Sequence, residues 1–160
     1  MRVLIDTNIL ISASLSCEGT PYQAYIKAVT HPNHRMVCDQ NIDELRRVYN
    51  RKFPHKIQAL ERFLAIALTV LEVVPTPAVD VSDEALVRDA SDRPILGAAI
   101  AAKADVLVTG DRDFLESGVT NPKIVTAAEF LQINNSNFSK QGLQLPAFLP
   151  PISHKVSHHR

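Results

Sequence analysis

Short apolar runs alternate with longer amphipathic stretches along the first 131 residues of the chain. The runs are rich in β-branched residues and predict five strands, at 3–5, 35–38, 71–74, 106–109 and 123–125. The first and fourth runs are continuously apolar, which is typical of strands buried on both faces of a parallel sheet. We therefore predict a parallel sheet that is covered by helices.

The stretches between the runs carry apolar residues at helical spacing, as Ile42, Leu45 and Tyr49 illustrate. Predicted helices lie around 42–49, at 57–70, from 91 or 92 to 103, and after a capping box at 126–129. Strands that alternate with helices in this way indicate an α/β domain with right-handed crossovers.

The character of the sequence changes after Ile133. Residues 134–137 are polar, prolines follow at 146, 150 and 151, and three of the six histidines fall within 153–160. We predict a domain at 1–133 and a polar, proline-containing C-terminal tail at 134–160. Apolar residues in the tail leave open whether it packs on the domain surface or on a neighbouring molecule.

Composition restricts the class of protein. The 160 residues are 46% hydrophobic and 21% charged, which is close to the average for a globular domain. Seventeen basic residues balance seventeen acidic ones, so a nucleic acid would have to bind a local basic patch. Cys17 and Cys38 are far apart and are expected as reduced thiols. The longest apolar run is too short for a membrane span, and we expect a soluble, cytoplasmic protein.

Four carboxylates are predicted to meet at one edge of the sheet. Asp6 directly follows the first strand and Asp111 follows the fourth, and the carboxyl ends of parallel strands share one edge. Asp92 opens a helix, and Glu44 lies near the start of the helix after the second strand. Carboxylates gathered in this way repel one another unless a cation binds, and oxygen ligands favour Mg²⁺ or Mn²⁺.

Each acid also has a purely structural explanation. Asp6 can cap the following helix, Asp92 can be a first-turn charge, and Asp111 can belong to a turn. Glu44 can pair with a nearby arginine on an exposed helix face.

The densest basic stretch lies on the same predicted helix as Glu44. Arg47 and Arg51 share a face at helical spacing, and Lys52 follows them. We predict that these three residues contact the phosphates of a nucleic acid. The alternative is a solvated helix surface with local salt bridges.

Four segments together resemble the motifs of PIN-domain ribonucleases. They are VLIDTNIL at 3–10, IDELRRV at 42–48, DRPILGAA at 92–99 and ADVLVTGDRDF at 104–114. The resemblance covers about residues 1–131, and within the family it is strongest to the toxin components of toxin–antitoxin pairs, which are VapC-like. It implies a three-layer α/β sandwich whose mostly parallel sheet has helices on both faces.

The resemblance also implies a metal-dependent endoribonuclease. The acids implied as catalytic residues and as ligands of Mg²⁺ or Mn²⁺ are Asp6, Glu44, Asp92 and Asp111. Asn8 and Thr109 are implied as supporting groups, and Asp113 as an auxiliary metal ligand. Asp89 and Asp43 neighbour the motif acids and are set aside, because the motif spacing favours Asp92 and Glu44.

The proposed chemistry is attack on phosphorus by a metal-bound water, which leaves 5′-phosphate and 3′-hydroxyl ends. Expected partners are the RNA substrate, a protein antitoxin and a second copy of the chain in a homodimer. One alternative is a Mg²⁺-dependent phosphatase of haloacid-dehalogenase type, although Asn8 stands where that chemistry needs a second acid. The other is a non-catalytic RNA-binding module of the same fold.

Overall fold

The computed structural model describes residues 1–79 and 83–134, and this part of the chain contains five strands and seven α-helices. The strands are β1 (Arg2–Ile5), β2 (His34–Cys38), β3 (Glu72–Val74), β4 (Val106–Val108) and β5 (Lys123–Val125). The helices are α1 (Thr7–Leu15), α2 (Thr20–Val29), α3 (Asp39–Lys52), α4 (Ile57–Ala67), α5 (Arg93–Ala101), α6 (Arg112–Leu115) and α7 (Ala127–Gln132). Short 3-10 helices lie at Pro54–Lys56 and Glu84–Leu86.

All five strands are parallel, and their order in the sheet is β3-β2-β1-β4-β5. The chain runs outward from β1 through β2 to β3 and then returns to place β4 on the other side of β1. Ile5 pairs with Val108, so the central strands β1 and β4 end side by side. Such a reversal of strand order opens a crevice at the carboxyl edge, where α/β proteins bind ligands.

Alternating side chains of the strands divide the core into two layers. Val3 and Ile5 pack with residues of α1, α2, α3, α4 and α7 on one face of the sheet. Leu4 and Leu107 pack with residues of α5 and α6 on the other face. This arrangement confirms the predicted α/β sandwich with a parallel sheet covered on both sides.

Each predicted strand is present, with its ends within one residue of the prediction. The predicted helix at 57–70 is shorter in the structure and ends at Ala67. Helix α2 was not predicted, because its buried face consists of the small residues Ala24 and Ala28 together with Tyr25 and makes a weak apolar pattern.

Lys27 of α2 joins this helix to the end of α7. Its Nζ donates to the carbonyl oxygens of Phe130 (2.8 Å), Leu131 (3.1 Å) and Ile133 (2.5 Å). These carbonyls lie at a helix C-terminus, where the last carbonyl groups have no intrahelical N–H donor. The ammonium group therefore acts as a side-chain cap.

Three further sequence expectations concern the cysteines, membrane-spanning segments and the C-terminal tail. Cys17 is exposed and Cys38 is buried, and both are free thiols. No helix in the described ranges is long and apolar enough to cross a membrane. The predicted tail at 134–160 falls outside the described residues apart from Asn134, and the division at residue 133 stays a prediction.

Candidate active site

Asp6 connects the end of β1 to the start of α1. Its carboxylate caps α1 by accepting a hydrogen bond from the Thr7 amide (2.7 Å), and its own amide donates to the Val108 carbonyl (3.0 Å). The residue is only 4% exposed. The capping role that the sequence suggested is therefore real, and the same geometry fixes Asp6 between β1 and β4.

Three side chains also donate to the Asp6 carboxylate. The Thr109 hydroxyl lies 2.6 Å from Oδ2, and the Asn8 amide nitrogen lies 3.4 Å from the same oxygen. The Asn41 amide nitrogen lies 3.2 Å from Oδ1. Because donors surround both oxygens, the orientation of this carboxylate is determined before any ligand binds.

Glu44 is joined to Asp6 through Thr7 and Asn41. The Thr7 hydroxyl donates to Glu44 Oε2 (2.6 Å) and accepts from Asn41 Nδ2 (2.8 Å). Asn41 is fully buried, and its Oδ1 accepts from the Cys38 amide (3.1 Å). Sequence reasoning missed Thr7 and Asn41 as site residues. The position of Asn41, three residues before Glu44 on one helix face, was the available signal.

Asp111 is held by the same network. The Thr109 hydroxyl accepts from the Asp111 amide (3.0 Å), and Asn8 Oδ1 accepts from the Gly110 amide (3.0 Å). Asp111 Oδ1 in turn caps α6 by accepting from the Asp113 amide (2.8 Å). Asn8 and Thr109 thus make hydrogen bonds on the Asp6 side and on the Asp111 side of the site, and their role as supporting groups stays a prediction.

Asp92 stands at the N-terminus of α5, and its side chain makes no capping hydrogen bond. Two contacts hold the backbone around it: Gln40 Nε2 donates to the Ser91 carbonyl (2.9 Å), and Arg93 Nε donates to the Val87 carbonyl (2.9 Å). The start of α5 is thereby tied to the start of α3 while the Asp92 carboxylate stays available for a ligand.

The pKa values of two acids show that the charges lie close together. Burial raises the pKa of Asp6 to about 6 against the opposing hydrogen bond from Thr109, and the charges of Glu44 and Asp111 add to the rise. Burial also raises the pKa of Asp92 to about 7, together with the charges of Asp111, Asp6, Asp89 and Glu44. The four motif acids are therefore electrostatically coupled, and the charges of the other three all act on Asp92.

The tightest group of acids differs from the one the motifs suggested. Within the described ranges, Asp89, Asp92 and Asp113 each offer a carboxylate oxygen within 4.8 Å of the others. Asp89 had been set aside on the basis of motif spacing. It reaches Asp92 because its Oδ1 accepts from the Ser91 amide (2.9 Å), which folds the chain back just before α5. The all-oxygen donor set suits a hard divalent cation.

The predicted RNA-binding residues are exposed. Arg47 lies about one turn beyond Glu44 on α3, and Arg51 and Lys52 lie in the last turn of the helix. The neighbouring Arg46 instead forms an ion pair with Glu61 of α4, with Nε 2.9 Å from Oε1.

Comparison with known proteins identifies the family. The model of the PIN domain matches residues 2–113, and the chain therefore belongs to the PIN domain family, a class of nucleases. No curated protein matches the sequence.

Two solved structures share the fold. A chain in the crystal structure of VapBC2 from Rickettsia felis bound to a DNA fragment from their promoter is 20% identical, with a TM-score of 0.62, over 79% of this chain and 98% of that one. The crystal structure of Mycobacterium tuberculosis VapC20, a Sarcin-Ricin loop cleaving toxin, is 16% identical, with a TM-score of 0.50, over 72% of this chain and 95% of that one.

Proposed function

We propose that this protein is a metal-dependent endoribonuclease that hydrolyses RNA phosphodiester bonds in the cytoplasm. The observation that carries the proposal is the approach of Asp89, Asp92 and Asp113 to within 4.8 Å of one another at the carboxyl edge of the sheet. The charges of Asp111, Asp6 and Glu44 also act on Asp92, whose pKa rises to about 7. Burial contributes most to this rise and repulsion between the carboxylates adds to it, and a divalent cation would offset both by stabilising the ionised form.

The residues of the site have two roles, as metal ligands and as groups that hold those ligands in place. Asp6, Glu44, Asp92 and Asp111 hold Mg²⁺ or Mn²⁺, with Asp113 as an auxiliary ligand. The bound ion supplies Lewis acidity and an activated water for in-line attack on phosphorus. Thr109, Asn8, Thr7 and Asn41 keep the ligands in place through the hydrogen bonds described above. Asp89 joins the ligand set because its carboxylate approaches those of Asp92 and Asp113.

RNA is held beside the acids by the exposed cations of α3. Arg47, Arg51 and Lys52 follow Glu44 on the same helix and can contact phosphates on one side of the scissile bond. Because the formal net charge of the chain is zero, RNA needs a local basic patch of this kind in order to bind.

We propose further that the protein is the toxin of a toxin–antitoxin pair, that it forms a homodimer, and that an antitoxin protein binds it. Its fold is shared with a chain of the VapBC2 structure and with VapC20, which is described as a Sarcin-Ricin loop cleaving toxin. Residues 1–133 are proposed as the nuclease domain.

The phosphatase alternative is not favoured. Asn8 occupies the position of the second acid, and both of its amide atoms already serve the network that joins Asp6 to Gly110. Asp6 is also buried and saturated with donors, which suits a fixed metal ligand better than an attacking nucleophile.

The test is a cleavage assay on mixed cellular RNA with Mg²⁺, Mn²⁺ or EDTA and with mapping of the product ends. We expect cleavage that needs the metal, yields 5′-phosphate and 3′-hydroxyl ends, and falls by at least about 100-fold in Asp6→Asn. Asp43→Asn, which removes an exposed acid of α3 outside the cluster, is the matched control and should cleave normally. Cleavage that persists in EDTA, or 2′,3′-cyclic phosphate products, would contradict the proposal.

A further inference from the structure

Arg88 binds the acidic cluster from the side of α6. Its Nε donates to Asp113 Oδ1 (2.8 Å), its Nη2 contacts the same oxygen, and Glu116 Oε2 lies 3.9 Å from Nη2. No motif of the sequence pointed to this residue. It is the cation that lies against the carboxylates within the described part of the site, and its role is not explained by the metal ligands alone.

The Asp113 carboxylate has competing partners on two sides. On one side it lies within 4.8 Å of ligand atoms from Asp89 and Asp92, and on the other it accepts from Arg88. An arginine stays charged at all relevant pH values, so it repels a divalent cation that approaches the same carboxylate. Metal binding and the Arg88–Asp113 contact therefore oppose each other.

The guanidinium group can leave Asp113 without moving the backbone. The side chain of Arg88 is 75% exposed. The preceding Val87 is fully buried against α5, its amide donates to the Glu84 carbonyl (3.0 Å), and its carbonyl accepts from Arg93. The backbone beside Arg88 is therefore fixed, and the guanidinium group is free to rotate in solvent.

A surface cleft lies where the rotated guanidinium would bind a ligand. It has a volume of about 180 Å³ and is lined by Leu86, Arg88, Asp113, Glu116 and Ser117. The volume is large enough for a phosphate group, although the charges of Asp113 and Glu116 repel a phosphate until a cation neutralises Asp113. Arginine binds phosphate through paired N–H donors, which makes it the residue suited to such a position.

We propose that Arg88 is a phosphate-binding residue of the nuclease site, and that its ion pair with Asp113 keeps it from phosphate until a divalent cation binds. With a cation bound to the carboxylates, the guanidinium group of Arg88 would be released from Asp113 and would contact an RNA phosphate in the adjoining cleft. This inference rests on the proposed function and adds a coupling to it: metal strengthens RNA binding through Arg88. By thermodynamic linkage, RNA strengthens metal binding by the same factor.

The first experiment measures Mn²⁺ binding without RNA by isothermal titration calorimetry, on the full chain. The tail contains His154, His158 and His159, and because imidazole is a possible metal ligand, the site is defined as the binding that Asp92→Asn abolishes. We expect Arg88→Gln to bind Mn²⁺ at this site at least about fivefold more tightly, because the competing cation is gone. The control, Arg46→Gln, removes an exposed arginine that is paired in a similar way with Glu61 and should leave the affinity unchanged.

The second experiment measures binding of a nuclease-resistant 2′-O-methyl phosphorothioate oligoribonucleotide with and without Mn²⁺. We expect Mn²⁺ to tighten binding at least about fivefold in the wild type and in Arg46→Gln, and by at least about twofold less in Arg88→Gln, where only the direct effect of the ion on the phosphate remains. Arg88→Lys keeps the charge but not the paired donors, and it should bind Mn²⁺ as the wild type does while losing part of the tightening.

The outcomes separate this inference from the proposed function. If Arg88→Gln binds Mn²⁺ no more tightly than the wild type, or keeps the full effect of Mn²⁺ on the oligonucleotide, the role of Arg88 is wrong. The nuclease proposal survives that result if the wild type still cleaves RNA with metal. If the wild type has no Mn²⁺ site that depends on Asp92, both proposals fail.

Discussion

Thr109 joins the two halves of the candidate site through a single hydroxyl group. The hydroxyl donates to Asp6 Oδ2 and accepts from the Asp111 amide, and the residue is fully buried at the end of β4. One side chain thus links a residue that follows β1 to a residue that follows β4. At this scale the site depends on residues that bind no metal themselves.

Replacement of this residue tests the link. Thr109→Val keeps the shape of the side chain but removes its donor and acceptor, which leaves Asp6 Oδ2 and the Asp111 amide with fewer partners. We expect a loss of about 1–3 kcal/mol in the free energy of unfolding, measured by urea denaturation. The control is Thr69→Val, whose exposed hydroxyl only donates to the Ile66 carbonyl, and it should cost less than about 0.5 kcal/mol. Equal losses in the two variants would show that the link contributes nothing.

The residue scale also shows which parts of the site could be predicted. Asp6 and Asp111 directly follow strands that the apolar pattern reveals, so topology alone brought them together. Asn41 and Asp89 escaped prediction for different reasons. Asn41 acts through hydrogen bonds inside the core, and Asp89 reaches the cluster through a turn that depends on local backbone geometry.

Helix α3 is the element that combines both chemistries of the proposed nuclease. Its first half presents Asn41 and Glu44 to the acidic network, and its second half presents Arg47 and Arg51 to solvent. The buried residues Leu45 and Tyr49 fix the rotation of the helix against the sheet. A helix oriented in this way holds the cations that we propose as phosphate ligands at a fixed distance from the carboxylates.

Charge reversal on this helix tests the arrangement. The double variant Arg47→Glu/Arg51→Glu should bind RNA at least about tenfold more weakly at low salt, because two phosphate contacts are lost. The slope of log K against log salt should fall by about one for each contact. Lys123→Glu is the control, since Lys123 begins β5 at the opposite edge of the sheet. An unchanged affinity and an unchanged slope in the double variant would remove α3 from the RNA-binding surface.

Strands were easier to predict than helices in this chain. Buried parallel strands such as β4 read as unbroken apolar runs, and their short length and β-branched residues distinguish them from buried helices. Helix α2 buries mainly alanine side chains, and α6 has four residues, so neither produces a clear periodic pattern. Their positions are set by packing against α7 and by the cap from Asp111, which are tertiary features.

At the scale of the whole molecule, ionisation of Asp6 and Asp92 lowers the free energy of unfolding of the metal-free protein, and a bound divalent cation would offset this loss. The folded-state pKa values of Asp6 and Asp92 lie above the ordinary value of 3.8, so folding takes up protons at these two sites. The metal-free protein therefore loses stability as the pH rises from about 4 to about 7, where both groups must ionise in close proximity. For the buried Asp6 the loss is on the order of 2–3 kcal/mol.

This pH dependence can be measured by thermal denaturation in EDTA and in Mg²⁺. In EDTA we expect Tm to fall between about pH 5 and about pH 7, and Mg²⁺ should abolish most of the fall. Asp92→Asn should show a smaller fall, since it removes the ionisation with the higher pKa. Acids whose pKa is lowered, such as Glu61 beside Arg46, lose their contribution only at lower pH and do not obscure the effect. A metal-free Tm that rises over this range would contradict the assignment.

The contact between Lys27 and the end of α7 sets a limit on any shortened version of the protein. A stop codon after Ile133 would keep all three carbonyl partners of the ammonium group, whereas one after Phe130 would delete two of them. The earlier stop would leave the Lys27 ammonium group with a single carbonyl partner at a frayed last turn, and α2 would lose most of its connection to α7. Expression clones that omit the tail should therefore end no earlier than residue 133.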